Sequence, residues 1–200
     1  MHLSSRLRFS RREACEIAAV GVTAIAAAVA SLAVAPGLAG VLGAALALDV
    51  LAIAAIDARR FIIPDELTLA ALVLGMANAG LDAWPEAWTA VLQSLGAALV
   101  RGAVLAGGFL ALRALYQRLR GREGIGLGDV KLGGVGGVWL AWATIPVAVE
   151  LAALAALAVY VVRQFAGGRV MSATARMPFG LFLAPAIWLG WLLEATLFGR

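Results

Sequence analysis

Residues 38–81 read LAGVLGAALALDVLAIAAIDARRFIIPDELTLAALVLGMANAGL, two apolar runs on either side of a short charged segment. The first run, Leu38–Ile56, and the second, Glu66–Leu81, approach the ~20 residues that a helix needs to cross the hydrocarbon core of a bilayer. The charges collect between the runs, as expected where a loop joins two membrane-spanning helices. This stretch therefore predicts an all-α protein built from transmembrane helices.

The same alternation continues in both directions along the chain. Further apolar runs are Ala14–Ala35, Trp88–Tyr116, Leu132–Trp142, Ile145–Val162 and Phe179–Phe198. The first of these is longer than the ~7 to 15 apolar residues of a cleavable signal peptide, which favours a membrane anchor. The run at 132–142 is short and rich in glycine, and partial insertion is the alternative for it. The predicted fold is a polytopic transmembrane helical bundle with six or seven spans.

The composition of the 200-residue chain agrees with a membrane location. Hydrophobic residues make up 63% of it, and the mean hydropathy is +0.95. This is more apolar surface than one water-soluble core can bury. We expect a basic cytoplasmic segment at residues 1–13 and a single membrane-embedded domain at residues 14–200, with the lipid bilayer as a main partner.

The basic residues indicate the orientation of the spans. If the N-terminus is cytoplasmic, one side of the membrane receives Arg59, Arg60, the cluster Arg113–Lys131, Arg163, Arg169 and Arg176. The opposite loops are poor in positive charge, so the positive-inside rule supports this orientation. The net charge of +4 then has a topological explanation, and no nucleic-acid partner is expected.

Metal-ligating side chains are scarce. The chain has one cysteine, Cys15, and one histidine, His2, which excludes a multi-cysteine zinc site and a His-rich cluster. We therefore expect a mechanism without a metal, and no cofactor.

Aromatic and small residues predict how the spans are held. The tryptophans fall near proposed span ends, where they are expected to anchor the protein at the membrane interface: Trp84, Trp88, Trp139, Trp142, Trp188 and Trp191. Pairs of small residues predict close approach of helices: Gly102-Ala103, Gly107-Gly108, Gly133-Gly134 and Gly136-Gly137.

The first candidate for chemistry is Asp57, which ends an apolar run beside Ile56. A carboxylate at a membrane boundary is a functional candidate by default. The structural alternative is a salt bridge to Arg59 or Arg60, and this segment alone does not decide between the two. After it, Pro64 suits a helix restart, where the charge of Asp65 favours the N-terminal end of the next helix.

The second candidate is Asp129, 72 residues further on, which follows Gly126-Leu127-Gly128. Glycines remove Cβ atoms and allow an extended substrate to lie against the main chain beside the carboxylate. A phosphate-binding loop is disfavoured, because these glycines lie between apolar helices and follow no strand. Together, the two segments predict a pair of aspartates at the cytoplasmic edge of the membrane.

Three stretches carry a resemblance to the prepilin peptidases, also called type IV leader peptidases, which are membrane aspartic proteases of the Gly-x-Gly-Asp class. They are 57–67 with its Ile-Pro-Asp, GIGLGDVKL at 124–132, and MPFGLFL at 177–183. The resemblance implies that Asp57 and Asp129 are catalytic. It implies substrate-binding or site-shaping roles for Pro64, Asp65, Gly126, Gly128, Lys131, Pro178, Phe179 and Gly180. Arg122 and Leu181 depart from the family pattern and affect local loop geometry only.

By the same resemblance, the substrate is a prepilin-like precursor with a short basic leader ahead of an apolar helix. Cleavage would occur at the cytoplasmic face of the bacterial inner membrane. Many of these enzymes carry paired cysteines in an additional cytosolic region and methylate the new N-terminus. With Cys15 alone, the chain resembles the short form without the methyltransferase, and we expect peptidase activity only.

Three charged residues lie inside proposed spans: Asp49, Arg101 and Glu150. The structural interpretation is mutual pairing between helices, which neutralises charges that are costly in hydrocarbon. Asp49 lies eight residues before Asp57 and is the one rival for a catalytic or relay role. The functional alternatives are a small ion- or proton-coupled transporter that uses these three residues and a scaffold in which the aspartates are replaceable.

Overall fold

The computed structural model describes residues 11–84, 87–121, 124–166 and 178–199. Within these ranges every regular element is an α-helix, and there are seven. They are α1 Arg11–Val34, α2 Gly37–Arg60, α3 Asp65–Asp82, α4 Trp88–Arg120, α5 Leu127–Trp139, α6 Thr144–Ala166 and α7 Gly180–Phe198. Residues 1–10 of the predicted basic segment 1–13, together with Arg122, Arg169 and Arg176, lie outside the described residues.

The helices confirm the prediction of an all-α membrane bundle. Four of them are long and apolar enough to cross a bilayer, namely α2, α4, α6 and α7, and Ala18–Val34 of α1 forms a shorter apolar helix. Because successive helices run in opposite directions, α2 and α4 end where α3, α5 and α7 begin. We call this the site end of the bundle.

The bundle is arranged around the shortest helix. α5 packs on α3, α4 and α7, while α2 packs on α1, α3 and α7, and α6 packs on α7. From Leu132 to Trp139 nearly every α5 side chain is buried. The predicted span at 132–142 is therefore a central helix of 13 residues. It begins five residues earlier than predicted, because Gly126 and Asp129 cap it.

Glycines explain how α5 fits between its neighbours. A Cβ atom at Gly137 would overlap the backbone of Arg101, and one at Gly102 would lie 2.9 Å from the carbonyl oxygen of Gly134. Small residues therefore set the α4–α5 contact, as predicted. The prediction is wrong for Gly107 and Gly108, because a Cβ atom at either position would have no neighbouring atom within 4 Å.

The tryptophans divide into two groups. Those at the end opposite the site are exposed, as an interfacial anchor requires: Trp84, Trp88 and Trp142. Trp139 and Trp191 are instead buried and pack edge to face with ring centroids 6.3 Å apart. Trp188 is half-buried and donates to the Ser31 hydroxyl at 3.0 Å. The anchoring prediction is wrong for these three, since their rings hold the core together.

A buried carboxyl supports the break between α5 and α6. Glu194 of α7 is 1% exposed and accepts a hydrogen bond of 2.7 Å from the backbone N–H of Ala141. Backbone groups at membrane depth need such partners, because lipid offers none.

Candidate active site

Asp57 lies in the last turn of α2 and is 5% exposed. The helix ends just after it, where the N–H of Phe61 donates to the Asp57 carbonyl at 2.9 Å. Phe61 adopts the left-handed conformation with φ 55°, which costs a non-glycine residue roughly 1–2 kcal/mol. Such strain tends to accumulate at functional positions. Here it turns the chain sharply from α2 toward Pro64, the N-cap of α3.

The carboxyl of Asp57 points to the N-terminus of α7. Its Oδ2 accepts a hydrogen bond of 2.9 Å from the N–H of Leu181. A Cβ at Gly180 would lie 2.8 Å from the same oxygen, so glycine is needed there for the approach. The Asp57 carboxyl is thus held by the backbone N–H groups of Leu181 and Gly180 at the start of α7.

Asp129 lies in the first turn of α5 and caps that helix. Its Oδ2 accepts a hydrogen bond of 3.1 Å from the N–H of Gly126, the N-cap residue. Both aspartates therefore meet the N-terminal end of a helix, α7 for Asp57 and α5 for Asp129. Exposed N–H groups and the helix dipole make such ends favourable for negative charge.

The electrostatics of Asp129 connect the two carboxyls. Its pKa is raised to about 6, chiefly by burial; the hydrogen bond from Gly126 lowers the pKa, and the negative charge of Asp57 raises it. Asp57 and Asp129 therefore lie within each other's field. Two interacting carboxyls titrate as a pair, and one can hold a proton while the other is ionised.

Ile63 joins the elements that carry the two acids. A Cβ at Gly128 would lie 3.0 Å from the Cβ of Ile63, and one at Gly180 would lie 2.7 Å from its Cδ1. The buried isoleucine side chain thus fits against both glycines, one on α5 and one on α7. The two motif glycines make room for Ile63 as well as for the carboxyls, a contact that the sequence analysis missed.

The other residues singled out in the sequence surround this centre. Lys131 pairs with Asp65 at 2.6 Å and so connects α5 to α3, although both side chains are largely exposed. Pro64 is the N-cap of α3, and its carbonyl accepts the Thr68 hydroxyl at 2.7 Å. Phe179 is the N-cap of α7 and packs on Phe109 with ring centroids 6.3 Å apart. Pro178 directly precedes it.

The three charged residues inside the spans do not form the expected cluster. Oδ2 of Asp49 is buried without a hydrogen-bond partner in the described part of the chain. Arg101 donates to the Gly137 carbonyl at 3.2 Å, and Glu150 is exposed on α6, which packs on α7. The pairing prediction is therefore wrong for Asp49.

Two residues of α4 also reach the site. Arg113 donates to the carbonyl of Ile125 at 2.6 Å, and the ring of Tyr116 lies against Gly124. The sequence analysis counted Arg113 only as a topological charge. Within the described ranges no group of three or more His, Cys, Asp or Glu side chains could hold a metal ion.

Comparison with known proteins identifies the family. Residues 44–161, which include both aspartates, match the model of the type IV leader peptidase family. The prepilin leader peptidase/N-methyltransferase of Burkholderia pseudomallei (strain 1026b) is 39% identical over 135 residues, 67% of this chain and 40% of that protein. The Aeromonas hydrophila protein of the same name is 32% identical over 180 residues, 86% of this chain and 56% of its own length.

The chain thus spans about half the length, or less, of these curated relatives. No solved structure matches it. Because the family model covers more than half of the chain, the conclusion is direct: the chain belongs to the type IV leader peptidase family.

Proposed function

We propose that this protein is a membrane aspartic endopeptidase in which Asp57 and Asp129 form the catalytic pair. One observation carries the proposal: the Ile63 side chain lies against the Cβ positions of both Gly128, the residue before Asp129, and Gly180, whose own Cβ position is 2.8 Å from Oδ2 of Asp57. The charge of Asp57 is also among the causes that raise the pKa of Asp129. Each acid is also held at the N-terminal end of a helix by a backbone N–H. Amide hydrolysis without a metal requires two such carboxyls, held in place and coupled in their titration, as general acid and general base.

The chemistry follows from a single shared proton. The ionised carboxylate takes a proton from water as the water oxygen bonds to the scissile carbonyl carbon, while the other carboxyl gives its proton to the carbonyl oxygen. As the C–N bond of the tetrahedral diol then breaks, the carboxyl that took the proton from water gives it to the leaving nitrogen, and the other carboxylate takes a proton back from a diol hydroxyl, whose oxygen becomes the carbonyl oxygen of the new acid. Asp129, with its pKa raised to about 6, suits the protonated role. Asp57, which accepts backbone hydrogen bonds from both Leu181 and Gly180 where Asp129 accepts one from Gly126, suits the ionised one.

The substrate we propose is a prepilin-like precursor, in keeping with the names of the relatives. Its short basic leader would be removed while its apolar helix stays in the membrane. Phe61, Ile62 and Leu127 expose apolar side chains beside the two acids, where such a helix could contact them. The proposal covers the cleavage step alone.

We further propose that the site faces the cytoplasm of a bacterial inner membrane. Among the described residues, four helices bring basic side chains to the site end: Arg59 and Arg60 of α2, Arg118 and Arg120 of α4, Lys131 of α5, and Arg163 of α6. The opposite end of α3 carries Asp82 instead. This distribution follows the positive-inside rule.

Co-expression with a candidate prepilin tests the proposal. Asp57→Asn and Asp129→Asn should each abolish conversion of the precursor to its shorter form at unchanged protein levels. Asp82→Asn, the same substitution at the far end of the bundle, should leave conversion intact. Asp49→Asn should also cleave, which separates this proposal from a transport function that uses the half-buried Asp49. Normal cleavage by either dyad variant would refute the assignment.

A further inference from the structure

α4 is longer than a bilayer requires. Its 33 residues extend about 50 Å, against about 30 Å of hydrocarbon core. The excess length suits the C-terminal part of α4, which carries Arg113, Arg118 and Arg120, to lie outside the hydrocarbon core at the site end. Between residues 111 and 120 only Arg113 and Tyr116 are half-buried, while the other side chains are exposed. Because these two residues are three apart, they lie on the same face of the helix.

This face of α4 contacts the segment that leads into α5. α4 ends at Gly121, whose φ of 65° suits glycine and turns the chain back. Tyr116 packs so closely against Gly124 that a Cβ there would lie 2.5 Å from the ring. The Arg113 guanidinium donates to the Ile125 carbonyl at 2.6 Å. Gly124 and Ile125 are thus held by an aromatic contact and a short, charge-assisted hydrogen bond.

The Ile125 carbonyl and the Gly126 N–H belong to the same peptide group. Arg113 binds the oxygen of that group, and Asp129 accepts its N–H at 3.1 Å. A peptide group is planar and rigid, so fixing the direction of the carbonyl fixes the direction of the N–H. A cation on the oxygen also polarises the amide and strengthens its N–H as a donor.

We infer that Arg113 is a positioning residue for Asp129, which it orients through the Ile125–Gly126 peptide without touching the reacting atoms itself. The inference rests on the proposed function for its catalytic meaning, but the contact can be tested separately. Without Arg113 the peptide can rotate, Asp129 loses its hydrogen-bond donor, and the carboxyl leaves the geometry that the reaction requires.

The charges around Asp129 allow a specific readout. Asp57 of α2 is close enough to act on Asp129 through its charge. Lys131 of α5 pairs with Asp65 of α3, and the described part of α7 has no charged residue at this end. The Gly126 N–H lowers the pKa of Asp129. Loss of Arg113 should therefore move the alkaline limb of the cleavage pH profile upward. A variant that only loosened the fold would lower activity without moving this limb.

The experiment compares the full chain in lipid nanodiscs as wild type, Arg113→Met, Arg113→Lys and Arg118→Met. Methionine removes the donor at similar length, lysine keeps one, and Arg118 is an exposed control on the same helix. For Arg113→Met we expect the Gly126 amide to exchange hydrogen about 10- to 100-fold faster and kcat to fall about as much, with KM nearly unchanged. Arg113→Lys should recover most of the slow exchange at Gly126 and most of the kcat. Arg118→Met should match wild type in both measurements.

The outcomes separate the two proposals. If Arg113→Met matches Arg118→Met in exchange and in kcat, the positioning role is overturned while the peptidase assignment stands. If exchange accelerates but the wild-type protein cleaves no prepilin, the contact is established and the proposed function fails. An equal fall in kcat for Arg113→Lys and Arg113→Met without faster exchange would also overturn the inference, because the hydrogen bond would not be the cause.

Discussion

The backbone N–H of Leu181, in the first turn of α7, donates a hydrogen bond of 2.9 Å to Oδ2 of Asp57, near the end of α2. This bond joins residues 124 positions apart in the sequence. It sets the direction of one carboxyl, as the Gly126 N–H does for Asp129. The site is therefore built on the N-terminal ends of two helices, where developing negative charge is stabilised.

Gly180→Ala should damage the site. Its Cβ would lie 2.7 Å from Ile63 Cδ1 and 2.8 Å from Asp57 Oδ2, so the carboxyl or α7 must shift. We expect a loss of roughly 1–3 kcal/mol of stability from overpacking and about a 100-fold fall in cleavage from the misplaced acid. Thermal melting and the initial rate of prepilin cleavage measure these effects.

Gly96→Ala is the matched control for that variant. Nothing lies within 4 Å of its Cβ position in α4, and alanine favours helix over glycine by up to about 1 kcal/mol. This variant should melt at the same or a higher temperature and cleave normally. Equal effects of the two alanines would mean that the close approach at Gly180 is not required.

Asp129→Asn should change stability in a pH-dependent way. Because the pKa of Asp129 in the folded protein is raised from 3.8 to about 6, the folded state binds more protons than the unfolded state between these values. Stability contributed by the protonated group is present below about pH 4 and is lost as the pH rises through 6. Asparagine cannot ionise, so the melting temperature of the variant should rise relative to wild type across this window and then level off.

Differential scanning fluorimetry at pH 4 to 8 gives that comparison, with Asp82→Asn measured in parallel. A constant difference between Asp129→Asn and wild type would show that the carboxyl is not desolvated as described.

The Lys131–Asp65 pair should matter little for stability. Both side chains are largely exposed, and such pairs contribute roughly 0–1 kcal/mol. Lys131→Met should therefore lower the melting temperature only slightly. Because the pair joins α5 to α3 beside the site, we expect Lys131→Met to reduce the cleavage rate several-fold. High salt, which screens the pair, should reduce the cleavage rate of the wild type by a similar factor. A salt-independent loss would point to a direct role of Lys131 in binding.

Glu194 should be structural. Glu194→Ala leaves the Ala141 N–H without its acceptor at membrane depth, at a cost of roughly 1–3 kcal/mol. Glu194→Gln keeps an oxygen acceptor and should be milder. Melting temperatures rank the two variants, and the cleavage rate per folded molecule should be unchanged in both. A melting temperature equal to wild type for Glu194→Ala would contradict the assigned bond.

The sequence could predict the helical membrane fold because that information is local. The apolar runs before Asp57 and after Pro64 have the length and the charged boundaries of spans. The same pattern in the rest of the described chain corresponds to the other helices, seven in all. The start of α5 was misplaced at Leu132, since hydropathy does not register the Gly126–Asp129 cap. The burial of Trp139 and Trp191 was also missed, because a tryptophan near a span end suits either an interface or a core.

The site was predicted in part for the same reason. Asp57 and Asp129 stand out by type and position, and their catalytic roles remain a proposal. Arg113 could not be found from the sequence, because its role depends on how far α4 extends and on which peptide its face meets. Ile63 is one apolar residue among many until α5 and α7 are brought against it.

The most direct measurement is the initial rate of cleavage of a purified prepilin by Asp57→Asn, Asp129→Asn and the double variant, each in nanodiscs. Residues that act as one unit lose the same activity singly as together. We predict that both single variants fall to the rate of the double variant. A single variant that keeps a tenth or more of the wild-type rate, or a double variant whose loss is the product of two moderate ones, would contradict the account.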